Sequence, residues 1–302
     1  MAKGNPEELI ISGCEAACSN IYQEDKIWSR YSNDKVDVGE ELARVIRTLF
    51  KAVPLSKALN ALSVGSSAEP QFRILETAFR AGLYLLDLDD EALCIVKDRI
   101  KRQYTHHVTT IKGDYNKFFA DSGRTESFLK TKLGNKKMDL ITLHHSLYYS
   151  KADAWADIFK NLYRAVLAPT GAIHAVLMTP ISDNEYSTTW LYNYFVNKFF
   201  NHRNDQDLMI FGDKLKKIPA FKKAQICVKT HHVNFFVEDF AKFMKVIWMV
   251  LLYPNVHKFT SGQMHEIAEF VYNKFWKNKR PLVQEQHHLI IYRGLNFKGL
   301  SR

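Results

Sequence analysis

Leu62-Ser63-Val64-Gly65-Ser66-Ser67-Ala68-Glu69-Pro70-Gln71 is the stretch on which the fold turns. An apolar run, Ala61–Val64, stops at a glycine; small residues follow, and a helical pattern opens near Gln71 and continues to Arg80. A strand that gives way to a helix over so few residues needs backbone that can approach a neighbour closely, and Gly65 supplies it. The start of the next helix points unpaired N–H groups and positive potential at the same place. Taken alone the loop decides nothing: dinucleotide-binding loops show three glycines where this one has a single glycine, and a plain strand-to-helix turn explains it as well.

Outward from that loop the same alternation recurs. Short apolar runs stand at Leu83–Leu86, Val108–Ile111, Leu140–Leu143 and Ala172–Leu177. Helical patterns separate them, at Glu91–Arg102, within Tyr115–Lys132 and at Ala152–Val166. Strands without polar alternation, each followed by a helix, predict a parallel sheet covered on both faces. The fold class is therefore α/β, a Rossmann-like doubly wound sheet. Before it, residues 8 to 55 read as helices, with Leu42, Val45, Ile46, Leu49 and Phe50 on one face and Pro54 as the break. After it, Leu191–Phe200, Phe236–Leu252 and Ser261–Trp276 read as helices, and Gln225–Val233 and Val283–Tyr292 as strands.

In open α/β sheets ligands sit outside the carboxyl ends of the strands. The second strand ends at Asp87, about 20 residues after the glycine turn, where a carboxylate can accept from both hydroxyls of a ribose. Asp89 is the second choice there, and it or Asp90 also suits the cap of the next helix. The third strand ends in Lys112-Gly113-Asp114-Tyr115 and the fourth in His144-His145-Ser146-Leu147-Tyr148-Tyr149. No single motif is as informative as the convergence of all four segments on one edge.

In their order, the Gly65 turn, Asp87, Gly113-Asp114 and Leu143–Tyr149 resemble class I S-adenosylmethionine (SAM)-dependent methyltransferases. Leu62-Ser63-Val64-Gly65, Leu147–Asp153 and the closing Leu289-Ile290-Ile291-Tyr292 are similar to the histamine N-methyltransferase-like group. The resemblance covers residues 58–178 and, more loosely, the last strand. It implies a mostly parallel seven-stranded sheet with an antiparallel C-terminal strand, in one domain of residues 1–302. Within it, 1–57 are N-terminal helices, 58–180 the SAM-binding core, 181–282 a helical insertion with one sheet strand, and 283–302 the closing strand and tail. The implied cofactor is SAM, with S-adenosylhomocysteine as product. Its methionine part falls to Gly65, Ser66, Ser67 and Glu69, its ribose to Asp87 with Asp89, and its adenine to Asp114 and Tyr115, while His144 or His145 lies beside the methyl donor. Ser66, Ser67 and Glu69 depart from the family, which prefers further glycines in that loop.

Methyl transfer from a sulfonium needs mainly alignment, and a base only where the acceptor must lose a proton. His144 and His145 are the candidates, although lining the cofactor pocket or making a structural hydrogen bond is the commoner role for such a residue. Tyr148, Tyr149, Trp190 and Tyr194 are expected to line the acceptor, since an insertion after the fifth strand commonly covers the ligand edge, and aromatic faces suit apolar or cationic groups.

The rest of the composition sets limits. With 46% hydrophobic residues, the 302-residue chain has ample material for a core. The greasiest run, Val246–Tyr253, is too short to span a bilayer, and Met1–Glu8 has no secretory pattern, so a cytoplasmic protein is expected. Four cysteines do not make a disulfide framework, and the histidine doublets at 106, 144, 231 and 287 lack carboxylate or cysteine partners at metal spacing, so no metal is expected. The charge of +10 admits a nucleic-acid partner. The motifs disfavour one: no Asn/Asp-Pro-Pro-Tyr/Phe follows strand four, and there is no Pro-Cys nucleophile. The expected reaction is methylation at nitrogen or oxygen of a small molecule. A nucleic-acid methyltransferase and a non-catalytic SAM-fold binding protein are the alternatives, and the oligomeric state is left open.

Overall fold

Strands and helices alternate from residue 60 onward in a computed structural model of the chain, which describes residues 5–18, 21–65, 67–252 and 258–295. In chain order the helices are α1 (Pro6–Glu15), α2 (Ile21–Tyr31), α3 (Asp34–Ala52), α4 (Phe72–Ala78), α5 (Asp90–Gln103), α6 (Tyr115–Phe118), α7 (Ser122–Lys132), α8 (Trp155–Asn161), α9 (Thr188–Phe200), α10 (Leu208–Lys216), α11 (Phe240–Leu252) and α12 (Ser261–Val271). The strands are β1 (Asn60–Val64), β2 (Gly82–Asp87), β3 (Val108–Lys112), β4 (Met138–His144), β5 (Leu167–Met178), β6 (Gln225–Phe235) and β7 (Leu282–Arg293).

Two units divide the chain: a sheet unit of Val38–Leu177, Asp207–Lys229 and His287–Arg302, and a helical unit of Met1–Asp37, Met178–Gln206 and Thr230–Gln286. The sheet has the order β3-β2-β1-β4-β5-β7-β6. β1 to β5 pair in parallel, and the C-terminal pair is antiparallel. The order reverses between β1 and β4, and that is where an open α/β sheet presents its crevice. Leu86 lies opposite Val64 and Ile111, and His144 opposite Val176, so these strands end along one edge.

Alternation along each strand builds two cores. Leu62, Val64, Leu86, Ile141 and Leu143 enter one cluster with Phe119, Phe128 and Phe159, while Ala61, Leu83, Leu85 and Leu140 enter another with Leu42, Leu49, Phe72 and Phe79. Strands apolar on both faces are thus covered on both, as their composition predicts. The expected helix over Ala152–Val166 is shorter: α8 ends at Asn161 and Leu162–Val166 form a π turn leading straight into β5, which starts five residues earlier than its apolar run suggests. α10 has no counterpart in the sequence reading.

The helical unit has its own core. Trp28, Phe195, Val233, Phe235, Phe240, Phe243, Met244, Ile247, Trp248 and Phe275 are among its buried members. No helix among the described residues is long and apolar enough to cross a membrane.

One buried charge in the sheet unit carries a pH prediction. Glu41 is 1% exposed and accepts from Lys229 Nζ at 2.6 Å and from Arg44 Nη1 at 2.8 Å. Burial alone would raise its pKa, but the two hydrogen-bonded cations override burial and hold it below the usual carboxylate value. A carboxyl depressed in the folded state adds stability above its unfolded pKa and loses it as pH falls through the folded value. Glu41→Gln is therefore expected to lose less stability than the parent between roughly pH 5 and pH 3, in denaturant titrations repeated across that range. Equal acid sensitivity in the two proteins would remove Glu41 from the acid response.

Candidate functional site at the carboxyl edge of the sheet

Gly65 closes β1 with φ +63, and its N–H donates to Leu86 O at 2.7 Å. A side chain there would place its Cβ 2.8 Å from Ser146 Cβ, so the turn needs glycine for both its angle and its clearance. Ser67 and Glu69 hold φ +52 and +53, left-handed values that glycine would meet more cheaply. Tertiary contacts maintain them. The Ser67 N–H donates to Asp87 Oδ2 at 3.0 Å. Arg99 on α5 donates to the carbonyls of Ala68 and Glu69 at 3.0 and 3.2 Å, and its guanidinium lies over the Phe72 ring. Ser66 lies outside the described residues.

Glu69, read from the sequence as part of the cofactor loop, turns inward. It is almost wholly buried, accepting from the Ser63 hydroxyl on β1 and from Gln71 N at 3.0 Å. Ser63 and Arg99 therefore hold the loop, and no local signal in the sequence marks either of them.

Asp87 stands half-buried at the end of β2. Its Oδ2 takes the Ser67 N–H and its Oδ1 the Asp89 N–H at 2.9 Å. The carboxylate keeps acceptor capacity beyond these backbone donors. Burial pushes its pKa up, and the backbone N–H groups of Asp89 and Ser67 pull partly against that. Asp89 caps α5, accepting from Glu91 N and Ala92 N at 2.7 and 3.2 Å. Asp114 does the same for α6 through Asn116 N at 2.9 Å. Tyr115 is buried with its hydroxyl donating to Ser146 O at 2.8 Å, and burial drives its phenol far above its ordinary value.

After β4 the two histidines part. His145 takes φ +53, donates its N–H to Val176 O at 2.9 Å, and lays its ring along Tyr148. His144 turns into the sheet, its Nε2 3.1 Å from His174 Nδ1. Ser146 is fully buried beside Gly65, and its hydroxyl has no hydrogen-bond partner among the described residues. Tyr149 is half exposed, and its carbonyl accepts from Asn116 Nδ2. The structure thus gathers Gly65, Ser67, Asp87, Tyr115, His145 and Ser146 into one connected rim. Trp190 and Tyr194 belong to the helical unit, where their rings stack 4.8 Å apart at 7°.

Known structures share this fold. A candidate methyltransferase from Bacillus halodurans is similar at TM-score 0.50 and 15% identity over 82% of this chain and 98% of its own. The YcgJ protein from Bacillus subtilis gives 0.50 and 11% over 83% and 98%. The chain has a methyltransferase fold. A candidate sarcosine dimethylglycine methyltransferase from Galdieria sulphuraria shares it, at 0.50 and 11% over 85% of this chain and 86% of its own. No protein-family model and no curated protein sequence matches the chain. Within this methyltransferase fold, the rim just described occupies the crevice where the strand order reverses.

Proposed function

We propose that this protein transfers a methyl group from SAM to a nitrogen or oxygen atom of a small molecule. The rim of four loops carries the reading: at the carboxyl edge of the sheet Gly65 N–H bonds to Leu86 O, Ser67 N–H and Gly113 N–H bond to Asp87, and the Tyr115 hydroxyl bonds to Ser146 O. The donor set suits the cofactor. Asp87 has lone-pair capacity left for a ribose, and the Ser146 hydroxyl, without a hydrogen-bond partner among the described residues, lies beside the Gly65 turn. In this assignment Gly65–Ser67 receive the methionine part and Asp114 with Tyr115 the adenine. When bound, the cofactor supplies a methyl group on a positively charged sulfur.

The chain's residues then have three tasks: to fix the donor, to present the acceptor in line, and to take up a proton where the acceptor bears one. His144 and His145 are assigned the last, and Tyr148 and Tyr149 the wall of the acceptor. The resemblance to the histamine N-methyltransferase-like group favours an amine, as does the similarity to the candidate sarcosine dimethylglycine methyltransferase of Galdieria sulphuraria. The stacked rings of Trp190 and Tyr194 also suit a cation. In the helical unit the Lys274 ammonium already lies 4.9 Å from the Trp190 ring centre.

One feature favours a second reading, a binding protein without catalysis: two non-glycine residues, Ser67 and Glu69, hold left-handed angles in the cofactor loop. Calorimetric titration with SAM, and with NAD as the control, separates the readings. Micromolar SAM binding without NAD binding, followed by turnover with a panel of amines, is the expected result. A folded protein that binds no SAM would sink the proposal.

A further inference from the structure

Four side chains of the helical unit close around one ammonium group. Lys274 lies in the π turn Tyr272–Trp276 that follows α12. Its Nζ stands over three rings, 4.9 Å from the centre of Trp190 on α9 and 5.3 Å from those of Tyr186 and of Phe270 on α12. Glu185 completes the cage by accepting from Nζ at 2.6 Å. Phe270 and Lys274 are four residues apart along a helical stretch and therefore share a face.

The walls are fixed, and the occupant is not. Tyr194 stacks on Trp190 at 4.8 Å and 7°. Two fully buried rings hold the other walls edge-on: Phe275 meets Tyr186 at 5.6 Å, and Phe195 meets Phe270 at 5.3 Å. Lys274, by contrast, sits on a flexible stem, and among the described residues its Nζ makes one hydrogen bond, to Glu185. A primary ammonium has three donors, and aromatic faces offer the other two no ordinary acceptor. An alkylated ammonium has fewer donors to satisfy, and rings placed like these are the known means of recognising one.

Beside the cage opens a cavity of about 410 Å³, lined by Glu266, Glu269, Phe270, Asn273 and Lys274. It gives the rest of a ligand somewhere to lie. The charges point the same way. Glu266 pairs with Lys198, the Arg280 guanidinium lies over the Tyr186 ring, and Glu269 pairs with no cation among the described residues. With Lys274 withdrawn, the carboxylates of Glu185, Glu266 and Glu269 outnumber Lys198 and Arg280 by one negative charge, which one monovalent cation restores.

We propose that this cage is a binding site for the alkylated ammonium group of a small molecule, and that Lys274 is its removable plug. Lys274 swings outward as the ligand enters, and Glu185 exchanges one cation for another. None of this requires SAM or turnover. The inference stands apart from the methyl-transfer reading, and the failure of either leaves the other intact.

Proton NMR of tetramethylammonium chloride, titrated into the full chain at constant ionic strength, tests the site. A cation held against Trp190 and its neighbours has its methyl signal shifted upfield by the ring currents. In the parent, Lys274 competes from a tether at an effective concentration in the millimolar range. Lys274→Ala removes that competitor and is expected to bind the cation roughly ten-fold more tightly. Lys274→Gln, which keeps the stem without the charge, should also bind more tightly than the parent. Saturating cation should return the Lys274 methylene signals of the parent to the positions of a free lysine.

Adding Trp190→Leu to Lys274→Ala is expected to abolish the upfield shift, with circular dichroism checking that the chain is folded; Tyr186→Leu takes its place if that variant unfolds. If the cage only fastens Lys274, then Lys274→Ala loses stability and gains no affinity. A folded Lys274→Ala protein that binds no more tightly than the parent therefore overturns the proposal. An upfield shift that survives the loss of the ring overturns it too. A trimethyllysine peptide that binds Lys274→Ala far more tightly than choline does would give the cage to a protein tail, against the small molecule proposed here.

Discussion

Asp87→Ala is expected to weaken SAM binding by roughly one hundred-fold in calorimetry while leaving the fold intact. In the proposed assignment the carboxylate accepts two charge-assisted hydrogen bonds from a ribose, each worth about 1.5–3 kcal/mol. Water that replaces the side chain recovers part of that, and a net loss of about 3 kcal/mol corresponds to roughly a hundred-fold in Kd. The substitution also releases the N–H groups of Ser67 and Asp89, and the Ser67 contact is one of the few that hold a left-handed residue in the loop. Asp87→Asn, with the same shape and no charge, should lie between the two. A pH series adds an independent check. Burial raises the pKa of Asp87, so its carboxylate fills with protons at a higher pH than an ordinary aspartate does. Affinity in the parent should accordingly fall as pH is lowered through that raised value, and Asp87→Ala should show no such fall. An alanine variant that binds SAM as the parent does would place the ribose elsewhere.

The segments that converge on this edge were legible because each announces itself locally. A four-residue run, Ala61–Val64, that stops at Gly65, and another, Leu83–Leu86, that stops at Asp87, fix both the strand and its carboxyl end, and parallel pairing brings those ends together without further information. The antiparallel closing strand followed from resemblance rather than from periodicity. What stayed hidden depends on partners distant in sequence. Glu69 looks like a loop acid ready for a ligand, yet Ser63 and Gln71 draw it inward, and Arg99, thirty residues on, secures the carbonyls behind it. His174 is a lone histidine between Ile173 and Ala175, and nothing marks it until β5 is laid beside β4 and the ring meets His144. Asp89 and Asp114 show the reverse. Helix caps and ligand acids share a residue type and a position, and only hydrogen-bond partners show the capping role. α10 escaped because exposed apolar Met209 and Ile210 stand among its buried positions, Leu208, Phe211 and Leu215, and blur the helical period.

Trp248→Ala is expected to destabilise the protein by about 4 kcal/mol or more, since removing a buried Trp or Phe side chain costs about 3–5 kcal/mol. The site has little means of collapsing. Trp248 is fully buried on α11, in a cluster with Phe240, Phe243, Met244 and Ile247. Its Nε1–H donates to the carbonyl of Gly13 at 2.8 Å, so the indole also ties α1 to α11. The truncated variant leaves that carbonyl without its donor, which adds about 1 kcal/mol or more if water cannot reach it. Gly13 cannot fill the space, because a Cβ there would lie 2.8 Å from Phe240. Trp248→Phe keeps most of the apolar volume and loses the hydrogen bond, so it should cost less than half as much. Denaturant unfolding followed by circular dichroism gives both values, and the ratio between them separates packing from hydrogen bonding. The effect should appear in the helical unit first, as loss of amide protection in α1 and α11 before the strands of the sheet unit respond. A Trp248→Ala protein that unfolds within 1 kcal/mol of the parent would mean that the aromatic cluster repacks freely, and the helical unit would then owe its stability to something other than this indole.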